Sequence, residues 1–241
     1  MRLDAVRRAL DLEQAAARLR RAGESPRVLD VGGGSGTLAV PLAVAGCVVT
    51  VVDPSPNALA TLHRRAEEAG VAARITAVQG DSDALGALVP AGEADLVLAH
   101  GVLEVVEDPK VTIAAIAEAL APGGAVSVVV ANRYAAVLHR ALAGRLGDAR
   151  ALLDDPAGQL PGESLLRRFD TEGLRRLLID SGLTVDLIQG SGALADVVPG
   201  QVLEQSPGAA DALAELELRV ATIGPLRDIA TRLHAVGRRS P

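Results

Sequence analysis

Gly32, Gly33, Gly34 and Gly36 crowd into the stretch "RVLDVGGGSGTLAV", directly after a strand-like run that carries Asp30. A backbone this bare suits a ligand that must approach the main chain closely, and a phosphate, a dinucleotide and a sulfonium cofactor all use such turns. Spacing separates these ligands. A G-x-G-x-x-G dinucleotide fingerprint started at Gly32 needs a glycine where Thr37 stands, and started at Gly33 it needs one where Ser35 stands. Started at Gly34 it accommodates Gly36 and ends on Ala39, a variant that fingerprint tolerates. A phosphate-binding P-loop closes on Gly-Lys-Ser/Thr, and the only lysine of the chain is Lys110. The pattern that fits without strain is Asp30-x-Gly32-x-Gly34-x-Gly36. Further chemistry-bearing residues follow in order. Asp53, followed by Pro54, lies about 20 residues beyond the first glycine, where an acid at a strand tip can accept hydrogen bonds from both hydroxyls of a ribose. Asp81 and Ser82 follow a third strand-like run, and His100 ends a fourth.

These residues need a scaffold that delivers all of them to one edge. Residues 3–21 have the apolar spacing of an amphipathic helix, with Leu3, Val6 and Leu10 on one stripe. Strands and helices then alternate: "RVLDV", a helix opening after Gly36, "CVVTVV", a helix over 56–69, "RITAVQ", "ADLVLAH", a helix over 109–120 stopped by "APGG", and "AVSVVVAN". Runs of Val and Leu without period-two polarity read as strands buried on both faces. The repeat predicts a parallel, doubly wound α/β sheet whose carboxyl edge holds the ligand and places His100 at its rim. Beyond Asn132 the rhythm changes. Residues 134–144 read as helix, 145–163 as irregular, and 171–181 as helix. "LTVDLIQ" follows as a strand, "SPGAADALAELELRVATI" as a helix and "TRLHAV" as a last short strand. No linker separates a second unit. Residues 1–241 therefore read as one domain, with 1–131 the cofactor-binding core and 132–241 the substrate-side elements.

Composition narrows the function classes. The 241 residues carry a net charge of −6, which removes any global basic field that would draw the chain onto nucleic acid or a membrane. Tyr134 and Phe169 are the only aromatic residues, so bases have almost nothing to stack on. The single cysteine, Cys47, excludes an internal disulfide and a cysteine-based zinc site, and its apolar neighbours mark it as a small buried hydrophobe. The longest apolar run, 38–52, is broken by Pro41 and Gly46 and falls short of the ~20 residues of a membrane span. The expected location is the cytoplasm.

The Asp30-x-Gly32-x-Gly34-x-Gly36 pattern resembles motif I of the class I S-adenosylmethionine-dependent methyltransferases, and "QGDSDAL" resembles their motif in which an Asp takes the adenine amino group. With "HGVLEVVEDP", "APGGAVSVVVAN" and "LHRALAG", the chain resembles the tRNA 5-carboxymethoxyuridine methyltransferases and their bacterial relatives over about 25–239. The resemblance implies a doubly wound Rossmann-like class I methyltransferase sheet with additional C-terminal helical elements, and S-adenosylmethionine as cofactor. It places Asp30, Gly32, Gly33, Gly34, Gly36, Asp53, Pro54, Asp81, Ser82 and His100 around that cofactor. His100, Asn132, His139, Arg168, Arg219 and His234 become candidates for positioning the acceptor. A carboxylate acceptor is already ionised at neutral pH and needs no base, so Arg168, Arg219 and Arg232 read as carboxylate clamps. The chain departs from the family where "DARALLDDPAGQLPG" replaces a lysine-rich connection and where aliphatic residues replace aromatic ones. The acceptor reading therefore divides between a small molecule and a modified tRNA uridine. Two other readings stand beside it: a cofactor-binding partner without catalysis, and an NAD-binding protein. Oligomeric state is open.

Overall fold

A computed structural model of the protein describes residues 5–81 and 84–241. Strands β1 (Arg27–Val31), β2 (Val48–Asp53), β3 (Ile75–Gln79), β4 (Ala94–His100), β5 (Leu120–Ala131), β6 (Leu183–Ser191) and β7 (Arg232–Arg239) form one sheet in the order β3-β2-β1-β4-β5-β7-β6. The first five are parallel, and each returns through a right-sized crossover. β7 runs antiparallel to both β5 and β6, so the expectation of a parallel sheet holds for five strands and gives way at the end. The reason is topological. β6 ends and β7 begins at the same edge, and β7 inserts between β6 and β5.

Alternation along the strands explains why they are apolar throughout. Leu29, Val31, Val97, Ala99, Val126 and Val128 pack to one side, with Ile113 and Ile116 of α5 (Pro109–Ala119) and Leu174, Leu177 and Leu178 of α8 (Thr171–Asp180). Val28, Val49, Val51, Leu96 and Leu98 pack to the other. There they meet α1 (Ala5–Arg20), α2 (Ala39–Val44) and α3 (Pro56–Glu68) through Leu10, Leu42, Leu59 and Leu62. Both faces of the sheet are covered, which is the requirement a parallel sheet imposes. Helix starts are encoded locally. Ser55, Asp108 and Asp170 accept from the backbone N–H groups of Ala58, Lys110 and Gly173, and Pro56 and Pro109 occupy the first turns they open.

Two elements differ from the sequence expectation. β5 starts at Leu120 rather than Ala125, because Ala94 already pairs with Leu120 before "PGG" bulges out and pairing resumes at Leu96 and Ala125. The stretch expected to be irregular contains α7 (Leu146–Asp154), held by buried Ala149 and Leu152. It follows α6 (Arg133–Leu142) and contacts it closely. Short helices α4 (Leu85–Leu88), α9 (Gly200–Gln205) and α11 (Gly224–Arg227), with α10 (Ala209–Val220) between the last two, complete the chain. The parallel strands and the incoming end of β7 bring the glycine loop, Asp53, His100, Asn132 and Arg232 to one edge.

Candidate functional site

A cleft of about 430 Å³ opens at the carboxyl ends of β1, β2 and β4, lined by Gly32, Asp53, Pro54, Asp81, Gly101, Val102, Val105, Val106 and Glu107. That size is ordinary for a small-molecule site. Gly32 is the loop glycine that lines it, and the four glycines of the loop do different jobs. Gly32 (φ 67°), Gly34 (φ 55°) and Gly36 (φ 76°) occupy the left-handed region that penalises a side chain. A Cβ on Gly36 would stand 2.3 Å from Leu62 Cδ1, and one on Gly33 would stand 2.6 Å from Asp30 Cγ and Oδ2, so both are spaces the protein itself fills. A Cβ on Gly34 meets nothing nearer than Asp53 Oδ2 at 3.8 Å. That space is open.

Two carboxylates sit beneath and beside the loop. Asp53 Oδ2 accepts from Gly34 N–H and its Oδ1 from Ser55 N–H, both at 2.9 Å. The carboxylate is thereby aimed, with lone pairs left for a ligand. Asp30 is buried, its Oδ2 has no partner among the described residues, and burial together with the nearby Asp53 charge pushes its pKa up to about 7. Asp81 lies on the cleft's outer wall. Ser82, expected beside it, lies outside the described residues.

His100 does not line the cleft; Gly101 does, and the imidazole belongs to a buried polar chain instead. His100 Nε2 lies 2.8 Å from Ser127 Oγ, which lies 2.9 Å from His234 Nε2. His234 Nδ1 lies 2.8 Å from Gln189 Nε2, which also donates to the Ala5 carbonyl at 2.9 Å. The two rings stand edge-on, 6.2 Å apart. Burial, and then the field of Arg232, lowers the His100 pKa to about 4, while burial and then His100 lower that of His234 to about 3. Both are neutral at pH 7.

The expected acceptor residues separate. Asn132 is buried and spent: its Nδ2 donates to the carbonyls of Asp228 and Ala230 while its Oδ1 caps α6 through Tyr134 N–H. Arg168 is held by Glu163 at 2.7 Å and by the Gly158 carbonyl. Arg219 is exposed on α10, His139 is half-buried on α6, and His234 is sealed inside the chain just described. Arg232 differs. It opens β7 at the ligand edge, its side chain makes no hydrogen bond or ion pair with any described residue, and it lines a second cavity of about 300 Å³. Leu213, Leu218, Ala210 and Ala214 give that cavity an apolar wall, and it is also lined by Asp196 and Glu217, whose carboxylates accept from Thr231 Oγ1 and from the N–H groups of Ala193, Leu194 and Ala195.

A family profile described as "Methyltransferase domain" matches residues 5–188. The chain belongs to this methyltransferase family. It is 30% identical over 125 residues to the tRNA 5-carboxymethoxyuridine methyltransferase of Escherichia coli strain K12, covering 52% of this chain and 48% of the relative. It is 31% identical over 176 residues to the ubiquinone biosynthesis O-methyltransferase of Agrobacterium fabrum, covering 73% and 65%. The chain spans about half the length of the first of these. Among solved structures, the fold resembles an S-adenosylmethionine-dependent methyltransferase from Methanosarcina mazei (TM-score 0.62, 19% identity, 90% and 93% covered). It also resembles the magnesium protoporphyrin IX methyltransferase of Synechocystis PCC 6803 (TM-score 0.61, 17% identity, 98% and 84% covered), determined with bound S-adenosylhomocysteine. The fold is that of a class I methyltransferase.

Sequence reasoning missed three residues that support this edge of the sheet. Arg167, one position before the expected Arg168, donates to the carbonyls of Leu103, Val106 and Glu107 and so staples the loop that walls the cleft. Glu104 is buried with Oε1 on Ala131 N–H and Oε2 without a described partner, and burial raises its pKa. A lone acid inside the apolar "VLEVV" was the available signal. Gln189 carries no sequence signal at all, because its importance comes from its two partners.

Proposed function

We propose that the domain transfers a methyl group from S-adenosylmethionine to an oxygen of a small, anionic, largely apolar acceptor seated at Arg232. The observation that supports this most is the meeting of Gly32, Asp53 and Asp81 on the lining of a single cleft, with Gly34 N–H bonded to the Asp53 carboxylate and open space where a Gly34 Cβ would project. The residues fit the cofactor. Asp53 has unspent acceptors for ribose hydroxyls, Asp81 stands on the wall for the base, and the orphaned Oδ2 of Asp30 lies under the loop. S-adenosylmethionine supplies an electrophilic methyl group on a sulfonium centre.

The chain's own residues hold and orient. Val102, Val105 and Val106 line the cleft with apolar surface, and Arg167 fixes their loop. Arg232 and the apolar wall of the second cavity hold the acceptor two strands away from β4, about 10 Å at ordinary strand spacing. A guanidinium there binds a carboxylate without removing its nucleophilic lone pairs from reach, and positioning then supplies most of the acceleration. The test is transfer of labelled methyl to a panel of small carboxylic acids, small phenols and bulk tRNA, with wild type and Arg232→Gln. A small-acid product whose KM rises at least tenfold in Arg232→Gln supports the reading. Turnover of tRNA alone transfers the acceptor to a modified uridine, and no turnover with any acceptor makes the domain a binding partner.

A further inference from the structure

The hydrogen-bonded chain at the acceptor edge has a direction, and one end of it fixes the chemistry of the other. The Ala5 carbonyl can only accept, so the Gln189 atom 2.9 Å from it is the amide nitrogen, a donor. The second proton of that nitrogen points at His234 Nδ1, 2.8 Å away, which must therefore offer its lone pair. A neutral imidazole carries one proton, so that of His234 sits on Nε2 and is donated to Ser127 Oγ at 2.9 Å. The single hydroxyl proton of Ser127 is then left for His100 Nε2 at 2.8 Å. His100 accepts on Nε2, and its own proton sits on Nδ1, which bonds to no described residue.

We propose that Gln189 locks His100 as the Nδ1–H tautomer, so that His100 presents a hydrogen-bond donor to the acceptor and cannot serve as its general base. The role toward the acceptor rests on the function proposed above; the tautomer does not. Gln189, Ser127 and His234 are positioning residues that act through His100. Burial keeps both imidazoles neutral, and the arrangement adds a neutral donor beside the Arg232 cation. Together they suit a carboxylate or another oxygen-centred anion.

The experiment is imidazole ¹⁵N–¹H correlation spectroscopy on histidine-labelled protein at pH 7, with His100 and His234 assigned by single substitution. The expected result is opposite tautomers: Nδ1–H for His100 and Nε2–H for His234. Gln189→Leu, close in volume, removes the lock, and the His100 signal should then acquire Nε2–H character. Ser127→Ala cuts the chain at its middle. It should leave S-adenosylhomocysteine affinity within twofold of wild type and raise acceptor KM fivefold or more with a smaller change in kcat. An Nε2–H or cationic His100 in the wild type overturns the proposal, as does an unaltered His100 tautomer in Gln189→Leu. An unchanged acceptor KM in Ser127→Ala overturns the donor role. If no acceptor is turned over, the proposed function fails while the tautomer measurement still decides the lock.

Discussion

Replacing Gly34 and Gly36 separately by alanine divides what the loop does for the ligand from what it does for the fold. Both residues have positive φ, 55° and 76°, so each alanine carries a left-handed penalty of about 1–2 kcal/mol. At Gly36 the new Cβ also falls 2.3 Å from Leu62 Cδ1 and 3.3 Å from Val40 Cγ2, both in the core. Overpacking of that kind costs about 1–3 kcal/mol more. Gly36→Ala should therefore lose about 2–5 kcal/mol of stability, against about 1–2 kcal/mol for Gly34→Ala. Binding should show the reverse order. The Gly34 Cβ enters the open space 3.8 Å from Asp53 Oδ2, where a ligand bonded to that carboxylate would lie. Losing hydrogen bonds to a charged group costs about 1.5–3 kcal/mol, roughly a ten- to hundredfold rise in Kd. Chemical denaturation measures the first quantity and isothermal calorimetry with S-adenosylhomocysteine the second. Gly34→Ala with wild-type affinity would refute the placement of the ligand against this loop, and equal destabilisation by the two variants would refute the packing account of Gly36.

Arg168→Ala should cost stability by removing one of the two arginines, Arg140 and Arg168, that pair with Glu163, and should leave acceptor KM unchanged; a rise in KM without loss of stability would return Arg168 to the acceptor site. Arg167→Ala should release the loop over 103–107 and weaken S-adenosylhomocysteine binding several-fold in a folded protein, and unchanged affinity would contradict its stapling role. Stability should depend on pH through His234. Its pKa is about 3 in the fold against about 6.5 when unfolded, so the stability it contributes is complete above pH 6.5 and is lost as pH falls toward 3. At about 1.4 kcal/mol per pH unit, roughly 2 kcal/mol is gone by pH 5. His100 acts with the same sign, whereas Asp30, held protonated up to about pH 7, acts in the opposite direction between about 4 and 7. His234→Gln should flatten the decline below pH 6.5, and an unchanged slope of unfolding free energy against pH would contradict a neutral buried His234.

The cofactor half of this fold is legible because its rules are local. Strands buried on both faces announce themselves as Val and Leu runs, Ser55 and Asp108 announce helix starts, and Gly32, Gly34 and Gly36 mark the positive-φ backbone that penalises a side chain. The acceptor half is not, because its residues gain meaning from distant partners. Arg168 and Arg232 look alike in sequence, yet the first is paired with Glu163 and the second makes no ion pair with any described residue. Asn132 resembles a polar site residue at a strand end until the carbonyls of Asp228 and Ala230, nearly 100 residues later, consume its amide. α7 was hidden by the prolines and glycines that follow it. The reversal at β7 depends on which edge the chain leaves from, and no short motif records that.

Binding of S-adenosylhomocysteine, followed by calorimetry on wild type and Asp53→Ala with NADH as the competing ligand, tests the central claim most directly. The account predicts one saturable site for S-adenosylhomocysteine, weakened in Asp53→Ala by about 1.5–3 kcal/mol, and weaker or no binding of NADH. Tighter binding of NADH, or an affinity for S-adenosylhomocysteine indifferent to Asp53, would contradict it.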